Sequence, residues 1–186
     1  MSDLDFTREE GVPIQDYFPA VENETLELFE QNHGYGFLLG PLSLVQQPQQ
    51  PQSTLDIDSV DSDLRIFFRK RIDYLVFPVL RTGRSQFSLV AVGRTKNNDI
   101  VVPDVSVSKF HAFFKPGRKR QFSLQDASSK NGTFLDDTPV PAQGQAKPVP
   151  VESGSRVRFG NVAFMFLSSV DFHGFVSRLC HSAQRP

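Results

Sequence analysis

Beyond about residue 64 the chain alternates short apolar runs with turn-forming residues. IDYLVFPVL, QFSLVAV, DIVV, FHAFFK, QFSLQD, GTFL, SRVRFG and VAFMFLS are each rich in Val, Phe, Ile or Leu. Between them stand RTGRS, TKNN, KPGRK, SSKNG and ESGS. Apolar runs of this length, punctuated by Gly, Asn and Ser, read as strands. Many short strands at this spacing predict an all-β sandwich or barrel. TPVPAQGQAKPVPVE carries too many prolines for a central strand and reads as a surface loop. Near the end, Phe172, Phe175, Val176 and Leu179 recur at helical spacing, which predicts a short C-terminal helix.

The first 64 residues follow another pattern. Little order is expected before Asn23. NETLELFEQNHG then reads as a short helix with Asn23 as N-cap, Leu26 and Phe29 on one face, and Gly34 as its stop. YGFLLGPLSLV is apolar but broken by Gly36, Gly40 and Pro41. QQPQQPQST cannot build a core, and its prolines favour an extended linker. These features divide the chain into an acidic, partly helical extension (1–64) and a β-domain with its terminal helix (65–186).

Charge sharpens that division. The net charge of the 186 residues is −1. Thirteen Asp/Glu and one Arg give residues 1–64 a net −12, whereas nineteen Lys/Arg and eight Asp/Glu give the remainder +11. The split reads either as a solvated acidic tail on a basic domain or as two halves that attract, and the second reading allows an intramolecular contact of the acidic segment with the domain. Screening beyond about 8–10 Å at physiological salt requires that contact to be close. The basic run Gly117–Arg120 lacks interleaved aromatics and reads as a hairpin tip, so no nucleic-acid partner is expected. No run approaches the roughly 18 apolar residues of a membrane span, and the acidic N-terminus lacks the basic flank of a signal peptide. With one cysteine, Cys180, no internal disulfide can form. A cytoplasmic protein without a membrane partner is the expectation.

The candidate chemistry lies in three strand-flanking loops. Gly93-Arg94 closes one strand. Ser108, Lys109 and His111 open another. Lys130, Asn131 and Gly132 belong to SSKNGT. A sandwich that gathers these loops at one end presents cations, a hydroxyl and an amide to one point, a set suited to a tetrahedral dianion. Arginine forks two hydrogen bonds to phosphate oxygens, and serine and backbone N–H groups add donors.

In these three motifs, GR, SxxH and NG, the chain resembles the forkhead-associated (FHA) domain family. NNDIVV, LQDASSKNGTFL and ESGSRVRFG support the resemblance, which covers roughly residues 72–170. It implies a β-sandwich of about eleven short strands that binds phosphothreonine peptides. By resemblance, Arg94 and Ser108 contact the phosphate, Lys109 and Lys130 add cations, and Asn131 holds the peptide backbone. Gly93, His111 and Gly132 support the site. The implied partners are phosphothreonine proteins of a Ser/Thr kinase pathway, with no cofactor. Two departures stand out. Asp136-Asp137 occupies the place of a second NG-like turn, and the proline-rich loop is long. Thr54 with Ile57, and Thr25 with Leu28, have the spacing of an internal phosphothreonine ligand, because the family often reads the third residue after the phosphothreonine.

Two rival functions fit the residues less well. For an enzyme, Ser108 and His111 would lie three apart on a strand, on opposite faces, which spoils a relay. Cys180-His181 lacks a third orienting group. Histidines 33, 111, 173 and 181 have no zinc spacing, and GRTKNN is no P-loop. No catalytic residue, metal or enzymatic activity is expected. The alternative function is a phosphate-independent interaction or scaffold module.

Overall fold

The computed structural model describes residues 11–42, 74–85 and 87–183. The Gln/Pro tract and Thr54 lie outside the described residues. Twelve strands run through the described chain: β1 (Val12–Pro13), β2 (Gly36–Leu42), β3 (Leu75–Pro78), β4 (Val90–Gly93), β5 (Ile100–Val101), β6 (Ala112–Pro116), β7 (Phe122–Asp126), β8 (Thr133–Leu135), β9 (Thr138–Pro139), β10 (Val149–Val151), β11 (Arg156–Phe159) and β12 (Val162–Ser168). Three helices accompany them, α1 (Phe18–Asn23), α2 (Leu26–His33) and α3 (Ser169–Ala183). A seven-stranded sheet, β1-β3-β2-β12-β11-β8-β9, faces a five-stranded one, β10-β7-β6-β4-β5. This is the β-sandwich with a C-terminal helix that the strand pattern predicts.

Alternation along the strands builds two cores. Leu38, Phe77, Phe159, Phe164 and Phe166 of the long sheet point between the sheets, against Val92, Phe114 and Leu124 of the short one. Their neighbours Phe37, Leu39, Val76 and Leu167 point the other way, under α1, α2 and α3. There they meet Tyr17, Phe29, Phe172, Phe175 and Val176, with the Phe37 and Phe172 rings stacked at 4.2 Å. The long sheet is thus covered on both faces at β3, β2 and β12. A buried aliphatic or aromatic side chain contributes about 1.5–3 kcal/mol, so the second core is a main source of stability.

That second core corrects the boundary near residue 64. Residues 12–42 are woven into the domain, since β2 pairs with β12 on one side and β3 on the other. Order also begins well before Asn23, with β1, a 3-10 turn over Ile14–Tyr17, and α1. Asn23 ends α1. The N-cap of α2 is Thr25, whose hydroxyl accepts from Leu28 N–H at 3.3 Å. Gly34, at φ 93°, ends α2 as expected.

One ion pair joins α2 to the turn between β6 and β7. Glu30, almost wholly buried on α2, accepts from Ser169 Oγ at 2.6 Å and pairs with Arg120 at 2.6 Å. The Arg120 guanidinium also lies 5.1 Å from the Tyr35 ring centroid. Arg120 sits in the exposed turn between β6 and β7, so Gly117–Arg120 is a hairpin tip. The proline-rich stretch supplies two short edge strands, β9 and β10, in place of a pure loop. Edge positions tolerate proline because the missing N–H faces away from the ladder.

Candidate phosphopeptide-binding site

Strand register brings the three motifs to one end of the sandwich. Val92 pairs with Ala112, and Ala112 pairs with Asp126. The residues that follow β4, precede β6 and follow β7 therefore leave the short sheet side by side. Arg94, Ser108, Lys109, Lys130 and Asn131 all belong to these segments. Arg120 is at the opposite end, so Glu30, which pairs with it, does not cover the loops.

His111 is fully buried and joins the three loops. Its backbone N–H donates to Val92 O at 2.8 Å, and its carbonyl accepts from Ala127 N at 2.9 Å. In the ring, Nδ1 accepts from Ser108 N–H at 2.9 Å, while Nε2 lies 3.1 Å from Gly132 O. A carbonyl can only accept, so Nε2 carries the proton and the imidazole is neutral. Burial pushes its pKa below the ordinary value, opposed by the Gly132 carbonyl and the Asp126 charge. The imidazole thus holds backbone and does not touch the Ser108 hydroxyl. Ser108 also lies in the loop before β6, so the strand geometry expected for Ser108 and His111 does not apply.

The remaining contacts tie loop to loop. Arg94 N–H donates to Ser108 O at 2.9 Å, and Arg94 Nε donates to Val107 O at 3.1 Å. Lys130 N–H donates to Ser108 Oγ at 3.1 Å. Asn131 Nδ2 donates to Ser106 O at 2.7 Å. Arg94, Lys109 and Lys130 are exposed. Among the described residues, none of these three cations has a carboxylate at ion-pairing distance.

Two glycines answer to space and conformation. A Cβ on Gly93 would run into the Lys109 carbonyl oxygen and approach Asn98 Nδ2 at 2.8 Å. The chain can turn from β4 past the Lys109 carbonyl only without a side chain there. Gly132, at φ 77°, adopts a left-handed conformation beside the Phe134 ring.

Several supporting residues were not singled out by the sequence reading. Buried Asn98 donates to Thr95 O and Lys109 O, both at 2.7 Å, and Thr95 Oγ1 donates to Lys109 O at 2.9 Å. Asp126 accepts from Ser129 N at 2.9 Å, and from Ser129 Oγ and Thr133 Oγ1 at 2.6 Å each. Asp104 accepts from Ser106 N at 2.7 Å and from its hydroxyl, and these bonds hold its carboxyl below the usual range. Asn161 N–H donates to Ser106 Oγ at 2.9 Å. The signal for Asp126 is a carboxylate three residues before a serine, the spacing of a side chain that caps a loop. Asp136 and Asp137, at φ 48° and 62°, form the two-residue turn between β8 and β9. Aspartate tolerates that conformation, so the missing glycine does not unmake the hairpin.

Residues 90–160 match the FHA domain family. An ABC transporter ATP-binding/permease protein of Mycobacterium tuberculosis is 34% identical over 92 residues, 47% of this chain and 10% of that protein. The glycogen accumulation regulator GarA of the same organism is 31% identical over 81 residues, 44% of this chain and 46% of its own. The chain thus spans less than half the length of these curated relatives. The FHA domain of the CT664 protein from Chlamydia trachomatis superposes with a TM-score of 0.43 at 20% identity, over 71% of this chain and 96% of that one. The family match and the three motifs on their sandwich make residues 90–160 an FHA domain.

Proposed function

We propose that the chain is a signalling adaptor whose FHA domain docks a phosphorylated threonine of a protein partner. The carrying observation is the group of exposed cations, Arg94, Lys109 and Lys130, around the Ser108 hydroxyl, without a carboxylate at ion-pairing distance among the described residues. Such a cluster repels itself and favours an anion at its centre. Arg94 and Ser108 hydrogen-bond the phosphate oxygens, Lys109 and Lys130 add charge, and the amide oxygen of Asn131 accepts from a peptide N–H. Charge-assisted hydrogen bonds of this kind are about twice as strong as neutral ones. No bond is made or broken. The partner belongs to a Ser/Thr kinase system, and dephosphorylation releases it.

The test is calorimetric titration of the full chain with degenerate peptide pools carrying phosphothreonine, phosphoserine or unmodified threonine. Binding to the phosphothreonine pool alone, lost in Arg94→Ala, is the expected result. Equal binding of phosphorylated and unmodified pools would replace this reading with a phosphate-independent scaffold.

A further inference from the structure

Resting on the phosphothreonine reading, a second subsite adjoins the phosphate site. Phe110 follows Lys109 directly and stands two residues from Ser108. That separation spans at most about 7 Å of backbone. The Lys109 carbonyl is pinned by Asn98 Nδ2 at 2.7 Å and Thr95 Oγ1 at 2.9 Å, so the position of Phe110 relative to Ser108 is set.

Phe110 is the middle ring of a stack of three. Its ring lies 6.2 Å from that of Phe113, at an interplanar angle of 6°. Phe113 is on β6 between Ala112 and Phe114, which face the inter-sheet core, so it faces outward. On its other side Phe110 stacks at 5.0 Å and 23° on Phe87. Exposure grades along the stack. Phe113 is 6% exposed, Phe110 is half-buried, and Phe87 is 51% exposed.

The backbone that carries Phe87 is tied down. Phe87 N–H donates to Ser85 Oγ at 3.1 Å, and Ser85 is buried. Asp99 accepts from Thr82 N at 2.9 Å and Thr82 Oγ1 at 3.0 Å, and also from Ala91 N at 2.9 Å. An exposed aromatic on an anchored stack resembles the hot spots of interfaces, where a rigid ring offers area at small entropic cost.

We propose that Phe87 and Phe110 form a specificity subsite for an aromatic side chain that flanks the phosphothreonine in the same partner segment. The occupant follows from continuity. A chain whose phosphate reaches Ser108 and Arg94 passes within one or two side-chain positions of Phe110. An incoming ring continues the stack in offset geometry, which aromatic pairs favour. Charge selects partners at the phosphate, and the rings select among phosphorylated partners.

The experiment uses the full chain and phosphothreonine peptides with alanine flanks, in which one phenylalanine is moved through every flanking position. One position is expected to bind roughly twofold to tenfold tighter with Phe than with Ala. In Phe87→Ala that ratio falls to about one, and in Phe87→Leu, a milder change to the packing, it falls partway. A flat profile on the wild-type chain, or a ratio that survives Phe87→Ala, overturns the aromatic subsite and leaves the phosphothreonine reading standing. No binding by any phosphorylated peptide overturns both. Sedimentation on the same samples tests a different occupant, since self-association lost in Phe87→Ala, with the peptide ratio unchanged, assigns the rings to a second copy of the chain and overturns the proposal.

Discussion

Ser108 and His111 are joined backbone N–H to Nδ1, at 2.9 Å, and not hydroxyl to imidazole. The same ring meets Gly132 O through Nε2 at 3.1 Å, so one side chain spans two of the three loops. Replacing His111 with Ala strands the Ser108 N–H and takes one of two donors from the Gly132 carbonyl, which keeps Gly160 N–H at 3.0 Å. Leaving a buried polar group unsatisfied costs about 1–3 kcal/mol. His111→Ala is therefore expected to lose about 2–4 kcal/mol in urea unfolding. It should also weaken phosphopeptide binding, although no atom of the ring need touch the peptide.

The neutral imidazole makes stability depend on pH. Protonating Nδ1 would set a donor against the Ser108 N–H. Burial depresses the folded pKa of His111 below its ordinary value near 6.5. The unfolded chain therefore takes up its proton first as pH falls. Stability is full above about pH 6.5 and declines from there toward the depressed folded pKa. His33 is also depressed by burial, against the opposing pull of Glu24, and titrates in the same direction. Urea unfolding of the wild type and His111→Gln between pH 7.5 and 5 isolates the His111 share. The wild type should lose more stability over that window, and parallel curves would contradict the assignment. The measurement is made without peptide, because phosphothreonine itself titrates near pH 6.

Gly93 illustrates a constraint that only the folded chain exposes. Its backbone is in an ordinary strand conformation, so Ala is not excluded by φ. A methyl group there collides with the Lys109 carbonyl oxygen, which is backbone and fixed by Asn98 and Thr95. Gly93→Ala should cost about 1–3 kcal/mol by overpacking. Because the displaced element carries Ser108, phosphopeptide affinity should fall more than tenfold in calorimetry. A variant that binds normally would show that the loop shifts at no cost to the site.

How much of this was legible in the sequence depends on how local each signal is. The eight apolar runs after residue 64 each contain or overlap a strand. The terminal helix follows from the spacing of Phe172, Phe175, Val176 and Leu179. GR, SxxH and NG were visible as motifs, and register explains why they meet. β2 was not legible. It is buried on both faces, so it has no polar alternation to betray a strand, and Gly40 and Pro41 imitate a break. They fall at a register irregularity, where Leu39 and Leu42 of β2 oppose Met165 and Ala163 of β12. The segment around α1 was missed for a related reason. Val12, Ile14, Tyr17 and Val21 come from a strand, a 3-10 turn and a helix in quick succession, so no single period runs through them. Asn98 is read locally as a turn residue, and its bond to Lys109 O spans eleven positions.

The placement of β2 leads to the last prediction. A chain that begins at residue 65 keeps all three phosphate-site motifs but loses β1, β2, α1 and α2. β12 would lose one hydrogen-bonded neighbour, β2, and β3 would lose both of its own, β1 and β2. Val76, Leu167, Phe172, Phe175 and Val176 would lose their cover of Tyr17, Phe29, Phe37 and Leu39. Each buried side chain uncovered forfeits about 1.5–3 kcal/mol. Several such losses exceed the roughly 5–15 kcal/mol by which a domain is stable. Residues 65–186 alone are expected to be aggregated or molten by gel filtration and near-UV circular dichroism, and to bind no phosphopeptide. A chain that begins at residue 11 should fold and bind like the full one. A monomeric 65–186 fragment with a cooperative thermal transition would show that the N-terminal module is an accessory, and that the sandwich closes without β2.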